Sequence, residues 1–443
     1  MTLALDFTDP AFIADPYPDL ARLRDYGQPV WSEQLGIFLA PRHADANEVL
    51  RSRTLQRIYQ AKTPERDWST FNFLHADSLL DSEPPKHTRL RSLITKAFNP
   101  RTIDNLRPAV TEIVEGLLDD LAERVDSGEA DLVRDFAEPL PVKVIASLLG
   151  FPPEDEYLLR PWSQAIVKMY EVDPDEDTRE AARIAADEFA AYIEQLMDSR
   201  RVEPGEDLIS ELAAVKDGGD RLSPQELIAT CVLLLNAGHE ASVNGLGNGF
   251  VAALQHPDQM ALLRADPVHV APTALEEFLR FDSPLHLFER TATEDTVIGG
   301  VTVPAGEKIA ALLGSANRDD TVFQNPDQMD LTRDPNPHIG FGAGIHFCIG
   351  APLARMEMSI AVPALMTRFP TICLAGTPVS RGTFVLRGFA EVPVTLEALT
   401  RLGDSGKIQQ RRPARISLGR DSCENDQEDA HRIEHARYLE QQQ

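Results

Sequence analysis

Apolar residues recur at helical spacing through most of the chain, while alternating runs are short and few. The spacing predicts helices over residues 18–25, 87–98, 104–125, 139–149, 155–170, 178–200 and 206–215. The longest helix is predicted to begin after Ser223, which forms a capping box with Glu226 and is followed by Pro224 at the first helical position. This helix continues towards Leu254 through a largely apolar sequence, so we expect it to be central and buried.

Strand patterns are confined to short segments. Residues 30–32 and 37–40 alternate like a small hairpin, residues 295–313 read as strands with turns, and residues 383–398 read as a closing hairpin. No linker is evident before about residue 400, and residues 401–443 form a polar tail that we expect to be disordered. The sequence therefore predicts a mainly α fold with a small β region, in one domain over residues 1–400.

Composition and charge limit the partners. Hydrophobic residues make up 43% of the chain, which is enough for a large core, and the formal net charge is −27. Phosphate binding needs a basic face, so this charge argues against nucleic acid and against an anionic membrane surface. A small basic patch that docks an acidic protein remains compatible with it.

Cellular location is indicated by what the sequence lacks. The N-terminus has no basic and apolar segments typical of a signal peptide, and no run of eighteen apolar residues predicts a membrane span. The four cysteines show no paired spacing, which favours neither a zinc site nor a disulfide framework. We therefore expect a cytoplasmic protein.

One cysteine, Cys348, lies in a glycine-rich run, residues 341–350, just before a predicted helix. A lone cysteine is most often a small buried hydrophobe. A thiolate at a helix N-terminus, however, is stabilised by the helix dipole and by free N–H groups. Glycines there would let the backbone approach a large flat group, which is how a protein presents sulfur to haem iron.

The run Phe341-Gly-Ala-Gly-Ile-His-Phe-Cys348-Ile-Gly350 resembles the haem-binding loop of the cytochrome P450 family at every fixed position. The resemblance covers about residues 10–400. It implies a single triangular haem-binding domain with the cytochrome P450 fold. It also implies that Cys348 is the thiolate ligand of the iron of haem, iron protoporphyrin IX.

A carboxylate and a guanidinium, Glu277 and Arg280, are spaced one helical turn apart. Taken alone they would be an ordinary surface ion pair. The resemblance matches them to the family's Glu-x-x-Arg helix, and Arg333 to its third partner. It implies that this triad is buried and holds the cysteine loop against haem.

The two propionates of haem require cations around one rim. The resemblance implies this role for His87 and Arg91, which lie one helical turn apart, and for Arg290 and His346. Charge-assisted hydrogen bonds to the carboxylates supply the physical reason.

The central helix departs from the family pattern. Its run Ala237-Gly-His-Glu240-Ala241-Ser242 matches the family's motif except that the usual threonine is Ala241. A methyl group cannot relay protons, so we hypothesise that proton delivery uses Glu240, Ser242 and water, with help from a polar substrate. Ser242 lies about 100° further round the helix and is not a simple replacement.

The resemblance implies a monooxygenase that uses O2 to hydroxylate or epoxidise a mid-sized hydrophobic small molecule. Electrons would come from a separate ferredoxin and its reductase, docked around Cys348 near Arg89, Lys96 and Arg355. The expected substrate pocket is mostly apolar and draws on residues 71–75, Leu234, Ala237, residues 285–288 and Val385. Within it, His286 would either orient a polar group or face solvent.

Two alternatives remain open at this point. One is a haem enzyme that uses hydrogen peroxide or rearranges its substrate without oxygen, which the missing threonine makes less remote. The other is a non-catalytic haem-binding protein, against which the acid Glu240 and an apolar pocket count.

Overall fold

A computed structural model describes residues 2–3, 5–125, 130–216 and 219–396, with residues 2, 3 and 125 described by their backbone only. The predicted tail, residues 401–443, lies outside this range. The helices are α1 Pro10–Ala14, α2 Tyr17–Asp25, α3 His43–Arg51, α4 Ser69–Ala76, α5 Lys86–Ala97, α6 Pro100–Asn105, α7 Arg107–Val125, α8 Pro139–Leu149, α9 Glu156–Val167, α10 Glu176–Val202, α11 Leu208–Ala214, α12 Pro224–Leu254, α13 Pro257–Ala265, α14 Pro267–Phe281, α15 Leu313–Ala316 and α16 Ala351–Arg368. Within the described residues, none of the helices is both long enough and apolar enough to span a membrane.

The strands are short and mostly two to six residues long. They are β1 Thr2–Leu3, β2 Val30–Ser32, β3 Ile37–Ala40, β4 Leu55–Gln56, β5 Leu287–Ala292, β6 Thr296–Ile298, β7 Val301–Val303, β8 Lys308–Leu312, β9 Cys373–Leu374, β10 Val379–Ser380, β11 Phe389–Glu391 and β12 Val394–Thr395. Six of them form one sheet in the order β1-β2-β3-β8-β5-β4, and the remaining strands pair as β10-β11, β12-β9 and β6-β7. The main sheet joins the strands of residues 2–56 to those of residues 287–312, because β8 pairs in parallel with β3 and β4 pairs antiparallel with β5.

The predicted helices are confirmed, with small shifts at their ends. Helix α8 covers the predicted residues 139–149 and ends at Gly150, whose φ of 75° closes it in the left-handed region. The helix predicted over residues 104–125 is instead broken after Asn105, and α7 begins at Arg107.

The closing hairpin predicted over residues 383–398 was wrong. The hairpin is formed by β10 and β11, and residues 383–388 lie in the loop between them, residues 381–388. Strand β12 belongs to a different pair, with β9. The backbone N–H groups of residues 384–386 bond to a distant carboxylate instead of a strand, which local sequence spacing does not reveal.

Helix α12 is the central element. The hydroxyl of Ser223 accepts from the N–H of Glu226, whose carboxylate in turn accepts from the N–H of Ser223, as the capping box predicts. The helix packs against α4, α8, α9 and α14. Its contact with α14 depends on Gly249, since a Cβ there would overlap the ring of Phe278.

Candidate functional site

The loop that carries Cys348 is shaped by two glycines. Gly342 and Gly344 have φ values of 71° and 70°, which favour glycine because it has no Cβ. A Cβ on Gly344 would also lie 2.5 Å from the carbonyl oxygen of Leu50 in α3, so the loop packs directly on backbone. The N–H of Cys348 donates to the oxygen of Phe341 at 3.0 Å, which closes the loop just before α16.

The thiol of Cys348 is free and partly exposed. Burial raises the pKa of this thiol, and the N–H groups of Gly350 and Ala351 together with Arg91 and Arg355 act in the opposite direction. Arg355 is held in place by both carboxylate oxygens of Glu276, at 2.6 and 2.9 Å. The sulfur therefore lies among groups that stabilise a negative charge on it.

The four predicted propionate contacts meet beside this loop. The rings of His87 and His346 lie 4.5 Å apart between centroids. Arg91 donates from Nη2 to the oxygen of Phe347 at 2.8 Å, and His346 Nε2 lies 3.0 Å from Glu83 Oε1. Arg290 reaches the same cluster electrostatically, since its charge lowers the pKa values of His346 and Glu83.

Two side-chain nitrogen atoms among these four residues are buried without a hydrogen-bond partner. These are Nε2 of His87 and Nη2 of Arg290, and both residues are 2% exposed. Burial, followed by the charge of Arg57, lowers the pKa of Arg290 to about 9. The carboxylates of Glu83, Asp81 and Glu289 only partly offset this, and Nη2 stays without an acceptor. A buried donor without a partner is costly, so the cluster fits an anionic ligand that accepts from Arg290 and from an N–H of His87.

Sequence reasoning missed Arg57. Its guanidinium lies 4.7 Å from the centroid of the Phe288 ring, and Arg290 lies 4.6 Å from the same ring. Nη2 of Arg57 contacts Asp81 at 2.5 Å, while its Nε is buried without a partner. The residue belongs to no motif, and only the pairing of β4 with β5 brings it to the cluster.

One face of α12 is not fully covered by other side chains, whereas the rest of the helix between residues 226 and 253 is buried. Between residues 226 and 253, only Leu233, Ala237, Gly238, Ala241 and Ser242 are not buried, and three of them follow the i, i+4, i+8 row of one helix face. The structure therefore places Ala241 and Ser242 side by side on the open face.

Glu240 points elsewhere. It is 4% exposed, and its Oε2 lies 3.3 Å from Nη1 of Arg381. Burial raises the pKa of Glu240, and Arg381 partly offsets this. Its Oε1 has no hydrogen-bond partner and lies 3.9 Å from Nδ1 of His239, a fully buried residue that sequence reasoning did not single out.

A cavity of about 270 Å³ lies against Glu240. Its lining includes three cations and three carboxylates among its members, which are Glu138, Arg160, Gln164, Val167, Lys168, Glu171, Glu240, Arg381, Thr383, Leu386 and Ala390. Glu138 joins the cations of the cavity, because it contacts Arg160 at 2.7 Å and Arg381 at 3.5 Å. None of the residues predicted from the sequence to line the substrate pocket lines this cavity, which is also more polar than the predicted lining. His286, which is 1% exposed, does not face solvent.

The predicted triad is formed. Glu277 binds Nε and Nη2 of Arg280 at 2.7 Å each and Nε of Arg333 at 3.0 Å. It also accepts from the N–H of Asp330 and from Asn336, so every acceptor position is used. Glu277 and Arg280 are fully buried, and their network ties α14 to the segment that leads into the cysteine loop.

Two of the three cations predicted to dock the electron donor are already engaged in ion pairs. Arg89 pairs with Glu226 and Asp220, and Arg355 pairs with Glu276. The surface next to Cys348 instead exposes two apolar side chains, Ile345 and Phe347.

No group of three or more His, Cys, Asp or Glu side chains in the described part of the chain is arranged to hold a metal ion. A metal at Cys348 would therefore have to come with ligands of its own. A haem macrocycle provides four nitrogen ligands and two carboxylates, which agrees with the free thiol and with the unpaired donors beside it.

Comparison with known proteins agrees with this geometry. Residues 159–382 match the family model described as Cytochrome P450. The chain is 42% identical to nocardicin C N-oxygenase of Nocardia uniformis subsp. tsuyamanensis over 89% of this chain and 98% of that protein. It is 44% identical to the polyketide biosynthesis cytochrome P450 PksS of Bacillus subtilis over 87% of this chain and 96% of the relative.

Solved structures share the fold. The structure of P450BioI in complex with a hexadec-9Z-enoic acid ligated acyl carrier protein has a TM-score of 0.82 and 35% identity, covering 87% of this chain and all of that chain. The family-model match, residues 159–382, includes both the cysteine loop and the central helix. The chain therefore belongs to the cytochrome P450 family, and it is an oxidoreductase with the monooxygenase activity of that family.

Proposed function

We propose that this chain binds haem with the thiolate of Cys348 as the iron ligand. The observation that carries the proposal is the free thiol of Cys348, set among N–H groups and cations, beside the unpaired donors of His87 and Arg290. His87, Arg91, Arg290 and His346 would hold the two propionates. Bound haem supplies the redox chemistry by which O2 is activated.

The residues of the chain prepare the site for that chemistry. The N–H groups of Gly350 and Ala351 stabilise charge on the sulfur of Cys348. The triad of Glu277, Arg280 and Arg333 fixes the approach of the cysteine loop. The small side chains of Ala237 and Ala241 leave room on the open face of α12 for a flat group and a substrate.

Proton delivery is the second part of the proposal. Glu240 holds a proton more readily than an exposed carboxyl group, because burial raises its pKa. Its unpaired Oε1 and the hydroxyl of Ser242 would pass protons through water to the open face of the helix. The cavity beside Glu240 is large enough for several water molecules and supplies polar partners for them.

The electron donor is proposed to be a ferredoxin with its own reductase. Bringing an electron to Cys348 requires a partner at the nearest surface, where Ile345 and Phe347 are exposed and Arg91 and Arg355 lie close to the sulfur. Because the chain is acidic overall, attraction of an acidic partner depends on this local positive charge, and we expect it to weaken with salt. We also propose a cytoplasmic location, on the sequence grounds above.

The substrate is proposed to be a mid-sized, largely hydrophobic small molecule. Relatives are named for a polyketide pathway, for vitamin D(3) 25-hydroxylation and for 6-deoxyerythronolide B hydroxylation. Because charged side chains line the cavity beside Glu240, we further propose that part of the substrate carries a polar group.

A second function is favoured by one observation. Ala241 lies on the open face where the family motif has a hydroxyl, so use of hydrogen peroxide in place of O2 and two electrons is the alternative. Turnover that needs ferredoxin, reductase and O2 supports the monooxygenase. Equal turnover with peroxide alone supports the alternative.

The absorption spectrum of the reduced, carbon monoxide-bound protein tests the thiolate. We expect a strongly red-shifted Soret band that is lost in Cys348→Ala. Cys231→Ala is the matched control, because Cys231 is also a free cysteine, fully buried in α12 away from the loop. A red-shifted band that survives in Cys348→Ala contradicts the assignment.

A further inference from the structure

The connection between α9 and α10, residues 168–175, borders the charged cavity through Lys168 and Glu171, and we call it the roof. Two consecutive side chains of this roof, Tyr170 and Glu171, contact two different segments of the chain. Tyr170 donates from its hydroxyl to Nε2 of His75 in α4, at 3.1 Å. The direction follows from the other ring nitrogen, because Nδ1 of His75 lies 2.8 Å from the oxygen of Phe71 and must donate to it. Tyr170 thus ties the roof to α4.

Glu171 contacts the other of these two segments. Its carboxylate accepts from three consecutive backbone N–H groups, those of Phe384 at 3.2 Å, Val385 at 3.0 Å and Leu386 at 2.8 Å. These residues belong to the loop between β10 and β11. No Arg, Lys or His side chain in the described ranges is within ion-pair distance of Glu171. The charge of Glu171 is therefore balanced mainly by this loop.

Further along the loop, Arg387 donates to Asp282 at 2.8 Å and to the backbone oxygens of Ile13 and Ala14, and Asn248 donates to the oxygen of Arg387 at 3.1 Å. These bonds hold the end of the loop to α1, α12 and the segment after α14, but none of them reaches the roof.

Residues 383–386 have few other hydrogen bonds. Thr383 donates from its hydroxyl to the oxygen of Leu386 at 2.7 Å, which lies within the loop itself. One backbone bond, from the N–H of His286 to the oxygen of Val385 at 2.9 Å, connects the loop to the segment before β5. The three bonds to Glu171 are thus the main connection between this loop and the roof.

The loop also forms part of the wall of the cavity beside Glu240. Thr383 and Leu386 line the cavity together with Glu171 and Glu240. Arg381, two residues before Thr383, contacts Glu240 at 3.3 Å. A shift of the loop relative to the roof would therefore change the shape of the cavity.

We propose that Glu171 is a positioning residue that fixes residues 383–386 against the roof and so sets how a bulky substrate is held. The proposal rests on the proposed function in one respect, that this cavity admits part of the substrate. Glu171 has no part in the chemistry at the iron. Its loss changes the fit of large ligands and leaves small ones unaffected.

Hydrogen exchange in the haem-loaded, full-length protein tests the positioning directly. In Glu171→Gln one acceptor oxygen becomes an NH2 group, which cannot accept, and in Glu171→Ala all three bonds are lost. We expect amide exchange in residues 384–386 to accelerate about tenfold or more in the alanine variant, with the glutamine variant between it and the wild type. Glu176→Gln is the control, because Glu176 is exposed at the start of α10 and contacts no loop residue. Unchanged exchange in both Glu171 variants overturns the proposal.

Ligand affinity separates positioning from general loss of structure. Imidazole and clotrimazole both bind haem iron through an azole nitrogen, but only clotrimazole is bulky enough to meet the walls. We expect the Kd of clotrimazole to change at least tenfold in Glu171→Ala while that of imidazole stays within twofold. Equal changes for both ligands, or none for clotrimazole, overturn the proposal. If the reduced, carbon monoxide-bound spectrum lacks the thiolate band, the proposed function fails, whereas the exchange result still decides the role of Glu171.

Discussion

Replacing Glu277 with alanine is expected to destabilise the protein strongly. Arg280 would remain fully buried with its guanidinium facing no carboxylate, and Arg333 would lose the same partner. Breaking a buried ion pair at one member costs about 3–5 kcal/mol, because the other charge stays buried and unpaired. This is a large part of the roughly 5–15 kcal/mol by which proteins are usually stable.

The neighbouring residue offers a matched control. Glu276 lies on the same helix and pairs with Arg355 and with the buried His338. The side chains of Glu276 and Arg355 are 23% and 40% exposed, and glutamine keeps an oxygen that can accept from either partner. Exposed ion pairs contribute about 0–1 kcal/mol to the free energy of unfolding, so Glu276→Gln should cost much less than Glu277→Ala.

Thermal unfolding of the haem-loaded protein, followed by far-UV circular dichroism, measures the difference. An unfolding entropy of about 2.1 cal/mol/K per residue gives about 0.8 kcal/mol/K for a folded part of about 390 residues. Glu277→Ala should therefore lower Tm by about 4–6 °C, and Glu276→Gln by about 1 °C or less. Equal shifts in the two variants would refute the reasoning that burial makes the triad costly to break.

Three further outcomes are expected. Ala241→Thr should lower or leave unchanged the coupling of electron consumption to product, and a large gain would mean that Glu240 and Ser242 do not compensate for the missing hydroxyl. The Arg290→Ala variant should lose haem to a scavenging apoprotein about tenfold faster than the wild type, while the stability of the haem-free protein does not fall. Equal rates of haem loss would show that Arg290 does not contact haem. Burial raises the pKa of Glu357 from 4.5 to about 8 in the folded protein. The free energy of unfolding should therefore be highest below pH 4.5 and fall by up to about 5 kcal/mol as the pH rises through about 8. Glu357→Gln should lose much less Tm than wild type between pH 5 and 9, and parallel curves would contradict this.

Local signals explain which parts of the fold were predictable. The limits of α8 follow from Pro139 at its start and Gly150 at its end, and α12 is announced by its capping box. The loop of residues 383–388 was not predictable, because its N–H groups bond to Glu171, more than 200 residues away. The consecutive apolar residues Phe384, Val385 and Leu386 imitate a strand that does not form.

In the candidate site, too, residues within a sequence motif were predictable and residues that only the fold brings together were not. A dense motif identified the cysteine loop. The triad of Glu277, Arg280 and Arg333 was identified by the resemblance to the family's Glu-x-x-Arg helix, because the spacing of Glu277 and Arg280 alone indicates only a surface ion pair. Arg57 could not be identified, since a single arginine that directly follows a short edge strand carries no signal until the sheet is assembled. The opposite error occurred for Arg89, whose charge is already paired with Glu226, because sequence order does not show which surface cations are engaged.

The contact between Gly249 and the Phe278 ring links the two sides of the site mechanically. Phe278 follows Glu277 directly in α14, while Gly249 lies two turns beyond Ala241 in α12. The absence of a side chain at position 249 thus sets how closely α12, which carries Ala241 and Ser242, packs against α14, which carries the buried Glu277. Any residue larger than glycine at position 249 would push these two helices apart, so a residue outside the candidate site controls the spacing of two helices that build it.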